Sequence, residues 1–378
     1  MTETNAPDVG NRMPRLNAPF GTELKLVMND NEERLRACVM AGACKRWNDT
    51  EMESFVAQRL AFELAVISQG GWTDYFLMVA DMVEAARGAG GLVGPGRGRA
   101  VASAALYALG VTGIDPLKHE NVLFELFLHP DMAKGAALVC VDFDGIGSTA
   151  ARTQLKSCDA EARPEPGKGR LAPERWRVGE RCVGVTHLKA LDRLALTIRL
   201  VAEAGGIPPD LDALPEEDAP VRRLLREGRR GRCEGPGVCS AAYCLKAVRG
   251  CLRETHGVVA YDEQVVTLLR RLGGLTRGEA YSCRKALALR MSGRVAEFKE
   301  KFLSGFVGNE ELCKAEGLSA DEAHGLAGEI WVELEHDAMF TSLKANEVAQ
   351  ARLACLLAYL KRNYPKEWRM AKKETGDE

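Results

Sequence analysis

Apolar positions return three and four residues apart through most of this chain, and the rhythm breaks in a few short stretches. Phe55, Val56, Leu60, Phe62, Leu64, Val66 and Ile67 predict an amphipathic helix, opened by a capping box at Thr50-Glu51-Met52-Glu53 and closed by Gly70-Gly71. Thr73 caps a second helix through Tyr75-Phe76-Leu77-Met78-Val79 to about Arg87. Residues 88–98 are glycine-rich, with Leu92-Val93 as a short strand, and residues 99–109 read as a small-residue helix stopped by Gly110. Residues 136–143 have the compact apolar, β-branched character of a buried strand ending in acid. Residues 158–177, rich in Pro, Gly and mixed charge, read as an exposed loop, and 181–185 as another strand. Leu188, Leu191, Leu194, Leu196, Ile198 and Leu200 then resume a helical pattern. After an acidic, proline-bearing stretch at 208–220 the chain reads as helix almost throughout. Its signals are an amphipathic run at 263–272, capping boxes at Thr276 with Glu279 and Ser319 with Glu322, and a last helix from about 345 to 362, before Pro365. No internal repeat is present.

A length of 378 residues suffices for two or three domains, and 46% apolar with 28% charged residues is ordinary for a globular protein. The formal net charge of −2 gives no global signal for nucleic acid or membrane, so charge has to be read locally. The first residues lack the apolar run of a secretory signal, and no stretch approaches the roughly 20 apolar residues of a bilayer span. The expectation is a cytoplasmic protein with no membrane association, whose 12 cysteines are reduced thiols.

Two features carry candidate chemistry. Gly94-Pro95-Gly96-Arg97-Gly98 leads into a helix, where glycines permit close backbone approach, first-turn N–H groups lack partners and Arg97 adds a full charge: an anion cradle. It lacks the Gly-Lys-Ser/Thr ending of a Walker loop. Asp142-Phe143-Asp144 closes the predicted strand, and strand alternation puts both carboxylates on one face, where they could share a divalent metal. Between 221 and 254, nine cations (Arg222, Arg223, Arg226, Arg229, Arg230, Arg232, Lys246, Arg249 and Arg253) face three Glu, a surplus suited to phosphate or to a solvated helix face. Cys233, Cys239, Cys244 and Cys251 do not have zinc-ribbon spacing, and His119, His129, His256, His324 and His336 show no nucleophile pairing.

Beyond single motifs, an ordered series of segments resembles one family. It runs Ala61-Phe62-Glu63-Leu64-Ala65-Val66-Ile67, Tyr75-Phe76-Leu77-Met78-Val79-Ala80-Asp81, Val93-Gly94-Pro95-Gly96-Arg97-Gly98, Tyr107-Ala108-Leu109-Gly110-Val111-Thr112, Asp115-Pro116-Leu117 and Phe124-Glu125-Leu126-Phe127-Leu128-His129-Pro130. In that order these segments resemble the palm of the bacterial DNA polymerase III alpha subunit, the C-family replicative polymerases. His256-Gly257-Val258-Val259-Ala260-Tyr261-Asp262-Glu263-Gln264-Val265, Gly278-Glu279-Ala280 with Arg284-Lys285-Ala286, and Tyr359-Leu360-Lys361 with Tyr364-Pro365 resemble its fingers. The resemblance covers roughly residues 30 to 130 and 185 to 368.

It implies a mostly helical α/β fold, a nucleotidyltransferase-like palm remnant with a mixed sheet followed by a helical fingers-like region. The expected boundaries are a flexible tail at 1–30, a palm at 31–205 with a loop at 145–180 in place of the thumb, a linker at 206–220, helical fingers at 221–368 and a charged tail at 369–378. By resemblance, Asp142 and Asp144 hold Mg2+ as the catalytic pair, and Gly96, Arg97, Gly98, Ser103, Arg284, Lys285 and Lys344 face the triphosphate. Three departures stand against full activity: Arg99 replaces the serine after the last glycine, His187 stands where a third aspartate belongs, and Asn346 replaces a histidine beside Lys344. The family's N-terminal metal-hydrolase-like part and its C-terminal clamp- and oligonucleotide-binding parts have no counterpart. The expected function is template-directed nucleotidyl transfer in DNA replication, impaired in this copy, with DNA, deoxynucleoside triphosphates and other replication proteins as partners. The alternative is a non-catalytic DNA-binding or partner-binding protein that keeps the fold.

Overall fold

Leu35, Val39 and Ala43 line up on one edge of a helix, and that narrow stripe buries α1 (Asp30–Arg46). The structure, a computed structural model, describes residues 30–120, 122–128, 138–165, 174–211, 214 and 240–376. Most of the expected linker, the tail at 1–29, His129, the six arginines from Arg222 to Arg232, Cys233 and Cys239 lie outside those residues.

The next helical run begins two residues before the expected capping box. Asn48 Oδ1 accepts the Glu51 N–H at 2.9 Å while the Glu51 carboxylate accepts the Asn48 N–H at 3.1 Å. From there the chain passes through α2 (Asp49–Glu51), a π-helical turn (Met52–Val56) and α3 (Ala57–Gln69), then α4 (Thr73–Gly88), whose N-cap is Trp72 and not Thr73. The small-residue helix expected at 99–109 is two pieces, a 3-10 turn (Gly98–Ala102) and α5 (Ala104–Ala108), with Ser103 as the N-cap between them.

One mixed sheet follows, with strands β1 (Cys140–Phe143), β2 (Arg163–Glu165), β3 (Glu174–Val178) and β4 (Arg181–His187) in the order β1-β4-β3-β2. β1 and β4 are parallel, the other pairs antiparallel. The region expected as loop at 145–180 therefore holds α6 (Gly145–Cys158) and two strands. β2 and β3 escape the apolar pattern because Trp176 is the only buried residue of the two strands, while ion pairs decorate them, Arg177 to Glu165 at 2.5 Å and Arg152 to Glu174 at 2.7 Å. α7 (Lys189–Glu203) leaves the end of β4. Phe76, Phe124, Phe127, Phe143, Leu60, Ile67 and Met82 fill the core of this half.

The second half is helical: α8 (Lys246–Leu252), α9 (Asp262–Arg271), α10 (Arg277–Ala288), α11 (Ser292–Val307), α12 (Glu310–Glu316) and α13 (Ala320–Asp337). Both expected capping boxes form, Thr276 with Glu279 and Ser319 with Glu322. Phe302, Phe306 and Trp331 are completely buried at its centre.

α14 (Lys344–Asn363) joins the halves. Ala345 and Ala349 pack against Val101, Ala102 and Ile114, while Leu353, Leu356 and Leu360 meet Leu191 and Leu194 of α7. The expected charged tail continues as helix: α15 (Pro365–Glu374) has proline in its first turn, where the missing N–H costs nothing, and buries Trp368 in the same cluster. Among the described residues, no helix is long and apolar enough to cross a membrane.

Candidate nucleotide-binding site

Each glycine of the turn answers a separate steric demand. A Cβ on Gly94 would stand 3.1 Å from the Asp142 Cβ, because the Gly94 N–H donates to the Asp142 carbonyl at 2.8 Å and lays the turn along the edge of β1. Gly96 (φ 132°) and Gly98 (φ 65°) occupy backbone conformations that L side chains rarely adopt. Leu92 O accepts the Asp144 N–H at 3.1 Å, so the acids and the glycine turn are directly adjacent.

The ionic chemistry of that junction is internal. Asp142 is 1% exposed, and its carboxylate accepts from Arg97 Nε at 2.7 Å. Burial pushes the Asp142 carboxyl above the usual carboxylate range, and the Arg97 cation pulls against that shift. Asp144 leaves the strand and caps α6, its Oδ1 accepting the Gly147 N–H at 2.7 Å. In the β1–β4 register Asp142 lies opposite Thr186 and Phe143 opposite His187, which puts His187 on the sheet face away from Asp142. His187 Nε2 meets Asp192 Oδ2 at 2.6 Å, and Asp192 Oδ1 accepts the Gly145 N–H at 2.7 Å, so the first turn of α7 closes on the first turn of α6.

The other expected triphosphate ligands are dispersed. Ser103 is completely buried and donates to Glu63 Oε2 at 2.7 Å. The Arg284 side chain pairs with Asp262, which also accepts from Thr341 at 2.7 Å. Lys344 is buried, pairing with Glu254 at 2.6 Å and donating to the Glu120 carbonyl. Lys285 is exposed on α10. Two contacts, absent from the sequence reading, tie the turn to the helical half: Arg99 Nη1 donates to Tyr281 Oη at 2.6 Å, and the Gly98 N–H donates to Asn346 Oδ1 at 2.9 Å. Glu63 was also missed. It accepts from Ser103, Ala104 and Ala105, and its signal was an acid within the buried stripe of α3, four residues after Arg59.

Asp142 is held by a guanidinium, Asp144 by a helix N-terminus, and neither Thr186 nor His187 brings a carboxylate. Among the described residues no three His, Cys, Asp or Glu side chains converge on one point.

A four-stranded mixed sheet with a glycine turn along its edge strand, joined to a helical half, has the make-up of a polymerase palm region and finger domain. Comparison names the family: residues 33–144 match the bacterial DNA polymerase III alpha NTPase domain and residues 234–310 the bacterial DNA polymerase III alpha subunit finger domain. The chain is a divergent, partial relative of that subunit. It is 43% identical over 134 residues to DNA polymerase III subunit alpha of Mycobacterium leprae, covering 35% of this chain and 10% of that protein. Against the Thermus aquaticus subunit it is 32% identical over 237 residues, 57% of this chain and 19% of the relative. Against that of Aquifex aeolicus it is 23% identical over 485 positions, 82% of this chain and 41% of the relative. The chain thus spans much less than the length of the relatives it matches, and the 485-position alignment bridges segments that the Aquifex subunit carries and this chain lacks.

Proposed function

We propose that this chain is a polymerase-type core that engages DNA and deoxynucleoside triphosphates while its nucleotidyl transfer is impaired. The observation that carries the reading is the Arg97–Asp142 ion pair at 2.7 Å, which commits the better-placed catalytic acid to a cation of the glycine turn itself. A carboxylate buried in this way is neutralised by its partner and has little charge left to hold a hard divalent ion. One oxygen of Asp144 is engaged in capping α6, and the position opposite Phe143 carries His187 in place of an acid. What remains suited to substrate is the backbone of the turn at Gly96 and Gly98, with the exposed Lys285 as a cation of the helical half; Arg97 would contribute only by leaving Asp142. Arg284 would contribute only by leaving Asp262.

Primer extension with magnesium or manganese, run beside an Asp142→Asn/Asp144→Asn variant, tests this. The expected result is extension by the native chain no greater than by the variant, together with DNA binding that weakens as salt rises. Robust extension that the double substitution abolishes would overturn the impaired reading. The rival, a non-catalytic protein that binds DNA or a protein partner, is favoured by the same internal use of the acids. Salt-dependent DNA binding with no triphosphate binding at all would select it.

A further inference from the structure

Two contacts cross the joint between the glycine turn and the helical half. Arg99 of the turn donates to Tyr281 of α10, and Asn346 in the first turn of α14 accepts from the turn at Gly98. The Gly98 N–H is the donor of the turn that opens toward the helical half, and a donor requires the carboxamide oxygen of Asn346, which fixes that side chain's orientation. Arg99 reaches Tyr281 by a hydrogen bond and lies over its ring, its guanidinium carbon 5.3 Å from the centroid. Behind both contacts, Val101 and Ala102 pack on Ala345 and Ala349, which holds the two surfaces in register.

We propose that Arg99 and Asn346 form a two-point latch that binds the glycine turn to the helical half and occupies the Gly98 N–H. The latch rests on reading the turn as a triphosphate cradle for its consequence, though not for its existence. An anion that takes the Gly98 N–H must displace Asn346, so α14 and a phosphate compete for one donor. Arg99 holds α10 to the turn through the Tyr281 hydroxyl and ring. Nucleotide entry is thereby coupled to separation of the halves at this joint.

The test uses the full chain, with hydrogen exchange over peptides spanning 94–103 and binding of dATP by calorimetry. Asn346→Leu removes the acceptor and is expected to speed exchange at Gly98 by about tenfold, the worth of one neutral hydrogen bond. Asn346→Asp, which keeps an acceptor in the first turn of a helix, is expected to leave it slow. Arg99→Ser/Asn346→Leu is expected to bind dATP at least about tenfold more tightly than the native chain. Tyr281→Phe keeps the ring and removes only the Arg99 acceptor, so a smaller rise in exchange is read even if the double variant misfolds. Unchanged exchange in both Asn346→Leu and Tyr281→Phe would overturn the latch whatever dATP does. Faster exchange without any gain in dATP binding would support the latch and count instead against the triphosphate reading of the turn.

Discussion

Glu263 is 1% exposed, and its carboxyl accepts the N–H groups of Lys344 at 3.0 Å and Ala345 at 3.3 Å, the first residues of α14. Burial pushes its pKa up from 4.5 to about 7, against the pull of those two donors. A raised acid stabilises the fold while protonated: its contribution is fully present below about 4.5 and is lost as pH rises through about 7. Native stability is therefore expected to decline across that window relative to Glu263→Gln, which keeps an oxygen acceptor and carries no charge. Urea midpoints of the two chains at several pH values check this, and parallel pH profiles would contradict it. Asp142 is shifted in the same direction for the same first cause, but Arg97 stands beside it, whereas Asp262, the neighbour of Glu263 in sequence, carries like charge. The difference between the two acids lies in their company.

At the scale of elements, α15 shows how a short terminal helix is secured. Trp368 is 8% exposed in a cluster with Leu191, Leu194 and Leu360, and Arg193 stands over its ring. Trp368→Ala should lower stability by about 3 kcal/mol, read from urea unfolding, as expected for a large aromatic removed from a packed site. This helix was hidden in the sequence because its charged residues outnumber its buried ones and Pro365 reads as a stop. The elements that were legible are those whose signals are local, such as the boxes at Thr276 and Ser319 and the buried stripe of α3. β2 and β3 were not, since a strand of three to five residues with one buried side chain leaves no alternation to detect. The site divides in the same way. Gly96 and Gly98 announce a special backbone by themselves, but their partners Asn346 and Tyr281 lie far along the chain, and only packing brings them to the turn.

At the scale of the whole molecule, α14 belongs to both halves: Lys344 and Ala345 receive Glu263 of α9, Ala349 touches the 3-10 turn, and Leu353, Leu356 and Leu360 meet α7. Neither half keeps its surface covered if the other lets go of that helix. Tryptophan fluorescence, which samples Trp47, Trp72 and Trp176 on the sheet side, Trp331 on the helical side and Trp368 in the cluster between α7 and α14, should share one urea midpoint with far-ultraviolet circular dichroism. Two separated midpoints would mean that the halves unfold independently.

The shared helix also sets the order of events on the ribosome. Leu191 and Leu194 emerge well before the leucines of α14 that cover them, and at about 5–20 residues per second the delay is on the order of ten seconds. Throughout that interval the nascent sheet domain displays a greasy strip to whatever chaperone or neighbouring chain is nearest.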